Sequence, residues 1–497
     1  MVAARGDRRT CSPRGDVVGR RPDSVADVPA SGGVAGPRPQ ESSSSSARRR
    51  RTRAPRHSDA RTERARSSKH AARAVADDER HPSPRARCGL LSPGRGNLVR
   101  IVIAPNRSSG RRLRVAGLFA GVGGIELGLD AAGHETTFLC EFDPGAAAVL
   151  RARFPQVEIH PDIRTLRELP DVDLLTAGFP CQDLSQAGKT AGIEGHRSGL
   201  VAEVFRLLRS ADPGPRWVLL ENVPFMLQLD RGRAMHVLTS TLESLGYRWA
   251  YRVVDARAFG IPQRRLRVLL LASRVDDPTG PLLGESVEPV IPTVRRKSMA
   301  CGFYWTEGVR GLGWAVDAVP TLKGGSTVGV PSPPAIWMPD GSIVTPDLRD
   351  AERLQGFPAD WTAPASPAAD RRSIGHRWKL IGNAVSAPVA TWIGRRLSSK
   401  SEYDGSGDAD LGWHERWPSS AYGSAGSAKT STATTWPIQL PYTSLASFLR
   451  FAPKPLSDRA ARGFLARTER SVLRFPPGLL TAVQRHLARG SLAESSA

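Results

Sequence analysis

Between residues 113 and 273 the chain alternates short apolar runs with stretches of helical spacing, and this alternation restricts the fold more than any other feature. "LRVAGLFAG" is apolar and ends in glycines, as a strand buried on both faces does. "IELGLDAAG" follows with helical spacing and a closing glycine. "TTFLCEFD" reads as a second strand, and "PGAAAVLRARF" as a helix with Pro144 near its start. The series continues with strand "VDLLTAGFP", helix "GLVAEVFRLLRSA", strand "WVLLENV", helix "AMHVLTSTLESLG" and strand "YRWAYRVVDA". It closes with "RLRVLLLAS" near 273. Such alternation predicts an α/β fold with a mostly parallel, doubly wound sheet.

The flanks differ in composition. Residues 274–345 are rich in Gly, Pro, Thr, Ser and Trp, with weak short strands, and predict a separate small lobe. Helical patterning returns in "TPDLRDAERLQGF" and "IGNAVSAPVATWIGRRLSS", which assigns 346–399 back to the main domain of 111–273. The Gly/Ser-rich segment 400–435 predicts a flexible linker, and 436–497 a basic helical tail. Residues 1–110, rich in Arg, Ser, Pro and Gly without a sustained apolar period, predict a disordered extension.

The formal net charge is +22, and the first hundred residues hold 23 Lys/Arg against 10 Asp/Glu. A polyanionic partner would suit that charge, although an Arg-rich chain also gains solubility from it. No uninterrupted apolar run approaches the roughly 20 residues that span a bilayer. Arg5, Arg8 and Arg9 are followed by no apolar segment, which argues against a secretory signal. The five cysteines, Cys11, Cys88, Cys140, Cys181 and Cys301, are odd in number and widely spaced. That argues for a reducing compartment and against a disulfide framework. None pairs at the C-x-x-C spacing of a zinc site, so no metal is expected.

Two regions carry candidate chemistry. "FAGVGG" follows the first strand, and Gly121, Gly123 and Gly124 would let a ligand approach the backbone. A dinucleotide site would place a third glycine where Glu126 stands. Glu141, twenty residues after Gly121, suits a pair of ribose hydroxyls, and Asp162 suits an adenine amine. Glycines without a phosphate cradle, plus a ribose acid, point to S-adenosylmethionine; an ordinary strand–turn–helix corner is the plainer alternative. Cys181 lies just past a strand end, where ligands bind in open α/β sheets, and Pro180 stiffens its turn. Thiol reactivity needs nearby positive charge, for which Arg265 and Arg267 are candidates. A buried small hydrophobe is the commoner fate of a free cysteine. Glu221 ends the next strand, placed to be partly desolvated and to donate a proton or a strong hydrogen bond.

Taken together, the blocks "LFAGVGGIELGL", "EFDP", "AGFPCQDLSQAG", "ENV", "QRRLRV", "RDAERLQGFP" and "IGNAVSAPVA" resemble the DNA cytosine-5 methyltransferases, in that family's order, over residues 113–397. The resemblance implies a Rossmann-like S-adenosylmethionine-dependent domain with a target-recognition lobe. It implies that Cys181 adds to C6 of cytosine, that Glu221 protonates or hydrogen-bonds N3, and that Arg267, and by position Arg265, bind the base oxygen and steady Glu221. Phe119, Gly121, Val122, Gly123, Gly124, Glu141, Phe142, Asp162, Ile163, Pro180, Asn383 and Ala384 are expected at the cofactor. Leu266, where the family often has a charged residue, should point away from the site. The base must be flipped from its duplex. The loop 183–199 would close over double-stranded DNA, bringing Ser185, Lys189, His196 and Arg197, with Gln182 beside Cys181; Gly188, Gly192 and Gly195 would permit the motion. In "PTLKGGSTVGV", Lys323, Ser326 and Thr327 are expected to reach bases or phosphates. A bacterial restriction-modification role, a cognate endonuclease as partner, a monomer, and a cytoplasmic, nucleoid-associated location follow as further expectations.

Other readings compete. A tRNA cytosine-5 methyltransferase would share the chemistry, but such relatives have almost no recognition lobe, and the stretch of about 70 residues at 274–345 far exceeds an ordinary loop. A catalytically silent DNA-binding protein would have no need of Cys181, Glu221, Arg265 and Arg267 together. A nicotinamide oxidoreductase is weakened by the missing third glycine.

Overall fold

The computed structural model describes residues 111–180, 199–292, 294–306, 308–324, 333–366, 371–412 and 416–495. The extension 1–110, Cys181, Gln182, the closing loop with Ser185, Lys189, His196 and Arg197, and Ser326 and Thr327 lie outside the described residues.

The alternation builds a nine-stranded sheet. Its parallel part is β1 (Arg114–Leu118), β2 (Glu135–Cys140), β3 (Glu158–His160), β4 (Leu174–Ala177) and β5 (Trp217–Asn222), ordered β3-β2-β1-β4-β5. The connecting helices are α1 (Gly124–Ala131), α2 (Pro144–Arg153), α3 (Leu200–Ser210) and α4 (Arg233–Ser244). Successive strand residues face opposite sides, and both sides are covered. Ala116, Leu118, Leu175 and Leu220 meet Val204, Phe205 and Leu238 of α3 and α4. Val115, Leu174 and Leu219 meet Ile125 and Leu129 of α1 on the other face. Burying each Leu or Val contributes about 1.5–3 kcal/mol. Order reverses at β1, which leads one way to β2 and the other to β4. A crevice therefore opens at the carboxyl ends of these strands.

The sheet is mixed rather than uniformly parallel. β6 (Arg248–Asp255) and β8 (Leu266–Ser273), with the two-residue β7 (Gln263–Arg264) between them, are joined by a connection too short for a parallel crossover. β8 consequently runs antiparallel between β5 and β6.

The expected small lobe differs in its limits. The short helix α5 (Thr279–Leu283) buries Leu282 and Leu283 in the main core. The lobe's own sheet contains β9 (Cys301–Phe303), β10 (Trp314–Val316), β12 (Ala335–Trp337) and β13 (Ile343–Thr345); β11 (Val319–Pro320) instead pairs with β7. After it come α6 (Leu348–Arg353), α7 (Arg371–Asn383) and α8 (Ala387–Leu397); Ala384–Ser386 divides the one expected helical stretch in two.

The expected flexible linker is instead structured. Within it, β14 (Ser420–Ser424) and β15 (Ser427–Thr430) extend the main sheet, with Ala421 opposite Tyr251 of β6. Strand pairing is a backbone matter, so Gly/Ser composition did not prevent it, and buried Trp417 and Trp436 anchor the segment. Arg252, fully buried, donates to the carbonyls of Thr434, Leu282 and Glu285. Nor is the expected tail separate. β16 (Lys454–Pro455) pairs with β13. Helices α9 (Asp458–Thr468) and α10 (Leu479–Ser495) bring Phe464, Leu479 and Val483 onto Phe303 and Ile343.

Candidate active site

The turn after β1 is held in unusual backbone conformations. Phe119, Gly121 and Gly123 have φ of 55°, 58° and 83°. The Gly121 N–H donates to Glu141 Oε2 at 2.7 Å, and the Asp143 N–H to Glu141 Oε1 at 2.7 Å. One carboxylate thus ties the β1 and β2 loops together. Burial pushes the Glu141 carboxyl above its ordinary pKa, against those hydrogen bonds.

The three glycines do not act alike, contrary to expectation. A side chain at Gly121 would meet nothing within 4 Å, so this position opens to a ligand. At Gly123 it would strike Phe154 at 2.5 Å, and at Gly124 the Val385 carbonyl at 2.2 Å. Those two glycines admit protein rather than ligand. Val122 also turns inward, into a cluster with Phe154 and Trp361, and its carbonyl accepts from the Trp361 indole at 2.8 Å. Glu126 lies buried beneath the loop, 3.5 Å from Thr176 Oγ1, in space left by Gly117.

Beside Glu141, the Phe142 ring is 71% exposed, with Arg164 at 5.6 Å from its centre. Asp162 receives the Arg164 side chain on both oxygens, which holds its carboxyl below the usual range. Ile163 is buried and Pro180 exposed. Across the crevice, exposed Asn383 ends α7 next to Gly324, and Val385 reaches Gly124.

The second half of the site stands at the end of β5. Glu221 lies opposite Leu269, and Arg267 is two residues from Leu269 on the antiparallel neighbour, so both share one face. Arg267 Nε is 2.8 Å from Glu221 Oε1, an ion-pair contact without hydrogen-bond alignment, and both side chains are nearly buried. Burial lowers the Arg267 pKa, and Glu221 opposes that shift. A side chain at Gly178 would lie 3.6 Å from Glu221 Oε2 and 4.0 Å from the Phe119 carbonyl. Asn222 Nδ2 donates to the Phe179 carbonyl at 3.0 Å, pinning the chain that leads through Pro180 to Cys181. Leu266 is exposed.

Arg265 does something other than the sequence reading assigns. Its buried guanidinium donates to the carbonyls of Leu322 at 3.1 Å, Gly382 at 3.1 Å and Ala384 at 2.6 Å. It therefore fastens the lobe entrance and the α7–α8 junction to β8, where Arg267 pairs with Glu221. Ala384, expected at the cofactor, is buried, and its carbonyl is taken by Arg265 and by Gln355 at 3.3 Å. Lys323 follows Leu322, its ammonium 4.2 Å from the centre of the Tyr304 ring.

Sequence reasoning overlooked Gln263 and Asn222. Gln263 accepts from the Leu322 N–H at 2.9 Å and donates to the Leu354 carbonyl at 2.7 Å. Their place inside "QRRLRV" and "ENV" was the available signal.

The model of the C-5 cytosine-specific DNA methylase family matches residues 113–294. The chain is 50% identical over 365 residues to the Type II methyltransferase M2.BsuMI of Bacillus subtilis (strain 168), covering 72% of this chain and 94% of that protein. It is 30% identical to the Type II methyltransferase M.Bsp6I of Bacillus sp. (strain RFL6), over 57% of this chain and 98% of that one. A solved structure of the S. pombe Dnmt2 methyltransferase is similar with a TM-score of 0.43 at 19% identity, over 57% and 98% of the two chains. The chain belongs to the C-5 cytosine-specific DNA methylases and is a DNA cytosine-5 methyltransferase.

Proposed function

We propose that this enzyme methylates C5 of a cytosine flipped out of double-stranded DNA, with S-adenosylmethionine as the methyl donor. The observation that carries the reading is the Glu221–Arg267 pair, set beside the Gly178–Pro180 strand end and opening onto the Gly121–Glu141 crevice. The crevice fits the donor. Open space at Gly121 admits its backbone contact, Glu141 meets the ribose hydroxyls, and the bare Phe142 ring offers a face to adenine. Asp162 and Ile163 border the adenine end and Asn383 the opposite wall. Bound there, S-adenosylmethionine supplies the electrophilic methyl group.

The chain's residues prepare the base to accept it. C5 of cytosine is a weak nucleophile within an aromatic ring. The Cys181 thiolate adds to C6, and the electron pair moves to C5 while Glu221 delivers a proton or hydrogen bond to N3. Arg267 holds the base oxygen and fixes Glu221. C5 then takes the methyl group, whose bond to the donor's sulfur breaks, and loss of the C5 proton and of the Cys181 sulfur restores the ring as 5-methylcytosine. Flipping costs a few kcal/mol, offset by contacts from the loop after Pro180 and from Lys323.

We read the biological role as protection within a restriction-modification system with a cognate endonuclease, acting as a monomer on nucleoid DNA in the cytoplasm. The test is incubation with tritiated S-adenosylmethionine and unmethylated duplex DNA, followed by bisulfite sequencing. The reading expects label at one cytosine of a short motif; transfer to tRNA instead of DNA would refute it.

A further inference from the structure

Asp143 stands where the two walls of the crevice meet. Its N–H donates to Glu141 Oε1, and its Oδ1 accepts from the Gly145 and Ala146 N–H groups at 2.9 and 3.2 Å, capping α2. From the other wall, His376 of α7 places Nε2 3.1 Å from both Asp143 oxygens, and Lys379 Nζ lies 3.8 Å from Oδ2. An ionised carboxylate only accepts, so His376 Nε2 carries the donated hydrogen.

The fold makes room for this contact. A side chain at Gly145 would strike His376 Cε1 at 2.3 Å, so a glycine in the first turn of α2 admits the imidazole. Leu380, one turn along α7, shares a buried cluster with Ala146, Val149 and Leu150 of α2. His376 therefore closes the polar edge of an interface whose apolar part is packed.

The segment held in this way is the Glu141–Phe142 edge of the crevice. Phe142 lies between Glu141 and Asp143 with its ring exposed, so its neighbours on either side set its direction. Glu141 is tied to Gly121, and Asp143 to α2 and His376. The charges agree with the arrangement. Burial, and after it the neighbouring Asp143 charge, push the Glu141 carboxyl up. Burial acts on Asp143 in the same sense, but the His376 contact and the cap amides outweigh it and hold that carboxyl below its usual range. Two adjacent carboxylates call for cations, and α7 supplies His376 and Lys379. Other charged groups around α7 are engaged elsewhere, Arg377 with Glu352 and Asp360, and Lys323 over the Tyr304 ring.

We propose that His376 is a positioning residue for the methyl donor. By holding Asp143 it sets the Glu141–Phe142 segment against the wall that ends in Asn383, and so fixes the ribose and adenine sites before the donor arrives. It acts through Asp143, not on a reacting atom, and therefore governs donor affinity while leaving methyl transfer unchanged. The inference rests on the S-adenosylmethionine reading above.

The test is calorimetric titration of the full chain with S-adenosylmethionine in the absence of DNA, beside tritium-transfer kinetics on duplex DNA and melting without ligand. His376→Ala should weaken donor binding about three- to tenfold, as for a lost hydrogen bond to a charged group discounted for partial exposure. Its kcat at saturating donor should stay within about twofold of wild type. His376→Gln, whose amide N–H can reach the same carboxylate, should restore affinity to within about twofold. Asp143→Asn keeps the helix cap, and adding His376→Ala to it should cost less than His376→Ala costs alone. Arg153→Ala, which frees the far end of α2 from the Trp361 carbonyl, should lower the melting temperature and leave donor affinity as in wild type. Unchanged affinity in His376→Ala, failure of His376→Gln to rescue, or an equal loss in Arg153→Ala overturns the proposal. So does a fall in kcat as large as the loss of affinity, which would place His376 in the chemistry. A wild-type chain that binds no S-adenosylmethionine refutes the donor reading, and this inference with it.

Discussion

Replacing Arg265 with Ala separates a positioning residue from a catalytic one. The Arg265 guanidinium satisfies three buried carbonyls, those of Leu322, Gly382 and Ala384. Among the described residues only Ala384 has a second side-chain donor, Gln355, so truncation strands two. A buried group left unsatisfied costs about 1–3 kcal/mol, which gives about 2–6 kcal/mol here. Some is returned because a charge is no longer buried. At about 2–4 °C per kcal/mol the gross cost corresponds to about 4–24 °C, so calorimetry should find the main transition several degrees lower. The Glu221–Arg267 pair does not pass through Arg265, so below the transition kcat should fall less than KM rises for DNA and for S-adenosylmethionine. Arg265→Lys should not rescue, since one ammonium cannot span three carbonyls in this geometry. Wild-type melting with a collapsed kcat would refute the reasoning, because it would mean that Arg265 touches the base.

The other expectations concern the crevice and its core. Cys181→Ser should abolish methyl transfer while retaining duplex binding, and Glu221→Gln should lower kcat by about 10²–10⁴, both read by tritium incorporation. Gly121→Ala, strained by its positive φ yet free of clashes, should fold and bind S-adenosylmethionine more weakly in calorimetric titration. Gly124→Ala meets the Val385 backbone at 2.2 Å and should instead melt earlier. Burial raises the Glu126 carboxyl to about 8. Its folded pKa exceeds the unfolded one, so the folded chain holds the extra proton, and stability falls as pH rises from about 4.5 to about 8. Glu126→Gln should remove that slope from melting temperatures measured between pH 5 and 9, gaining on wild type toward the alkaline end.

The strands of the parallel core were legible because burial on both faces leaves continuous apolar runs, as in "RVAGL" and "LLTA". Direction was not legible for "LRVLLLAS", since an apolar run says nothing about which way its neighbours point. The short link from Asp255 to Gln263 decided it. Likewise the motif residues were legible as a set, but their roles were not. Arg265 and Arg267 are two residues apart, a spacing that gives both the same side of an extended chain and does not say which one meets Glu221. The glycines show the same limit, since a missing Cβ can admit a ligand, as at Gly121, or a carbonyl of the same chain, as at Gly124.

The C-terminal region was misread for a physical reason that bears on the enzyme as a whole. Strand β14 holds its place through backbone pairing with β6, and its sequence, Ser-Ala-Tyr-Gly-Ser, carries little apolar signal. β16 contributes only Lys454 and Pro455, yet it completes the sheet edge beside β13. Between them, Leu445 enters the core cluster that contains Ile336 and Trp378, and its N–H reaches Asp317 at 3.0 Å. Residues 416–495 therefore brace both the catalytic sheet and the recognition sheet. Glu221 and Arg267 stand at 2.8 Å on the main sheet, and this segment adds a tie between the two sheets to those made by the β7–β11 pair and by the carbonyls that Arg265 holds.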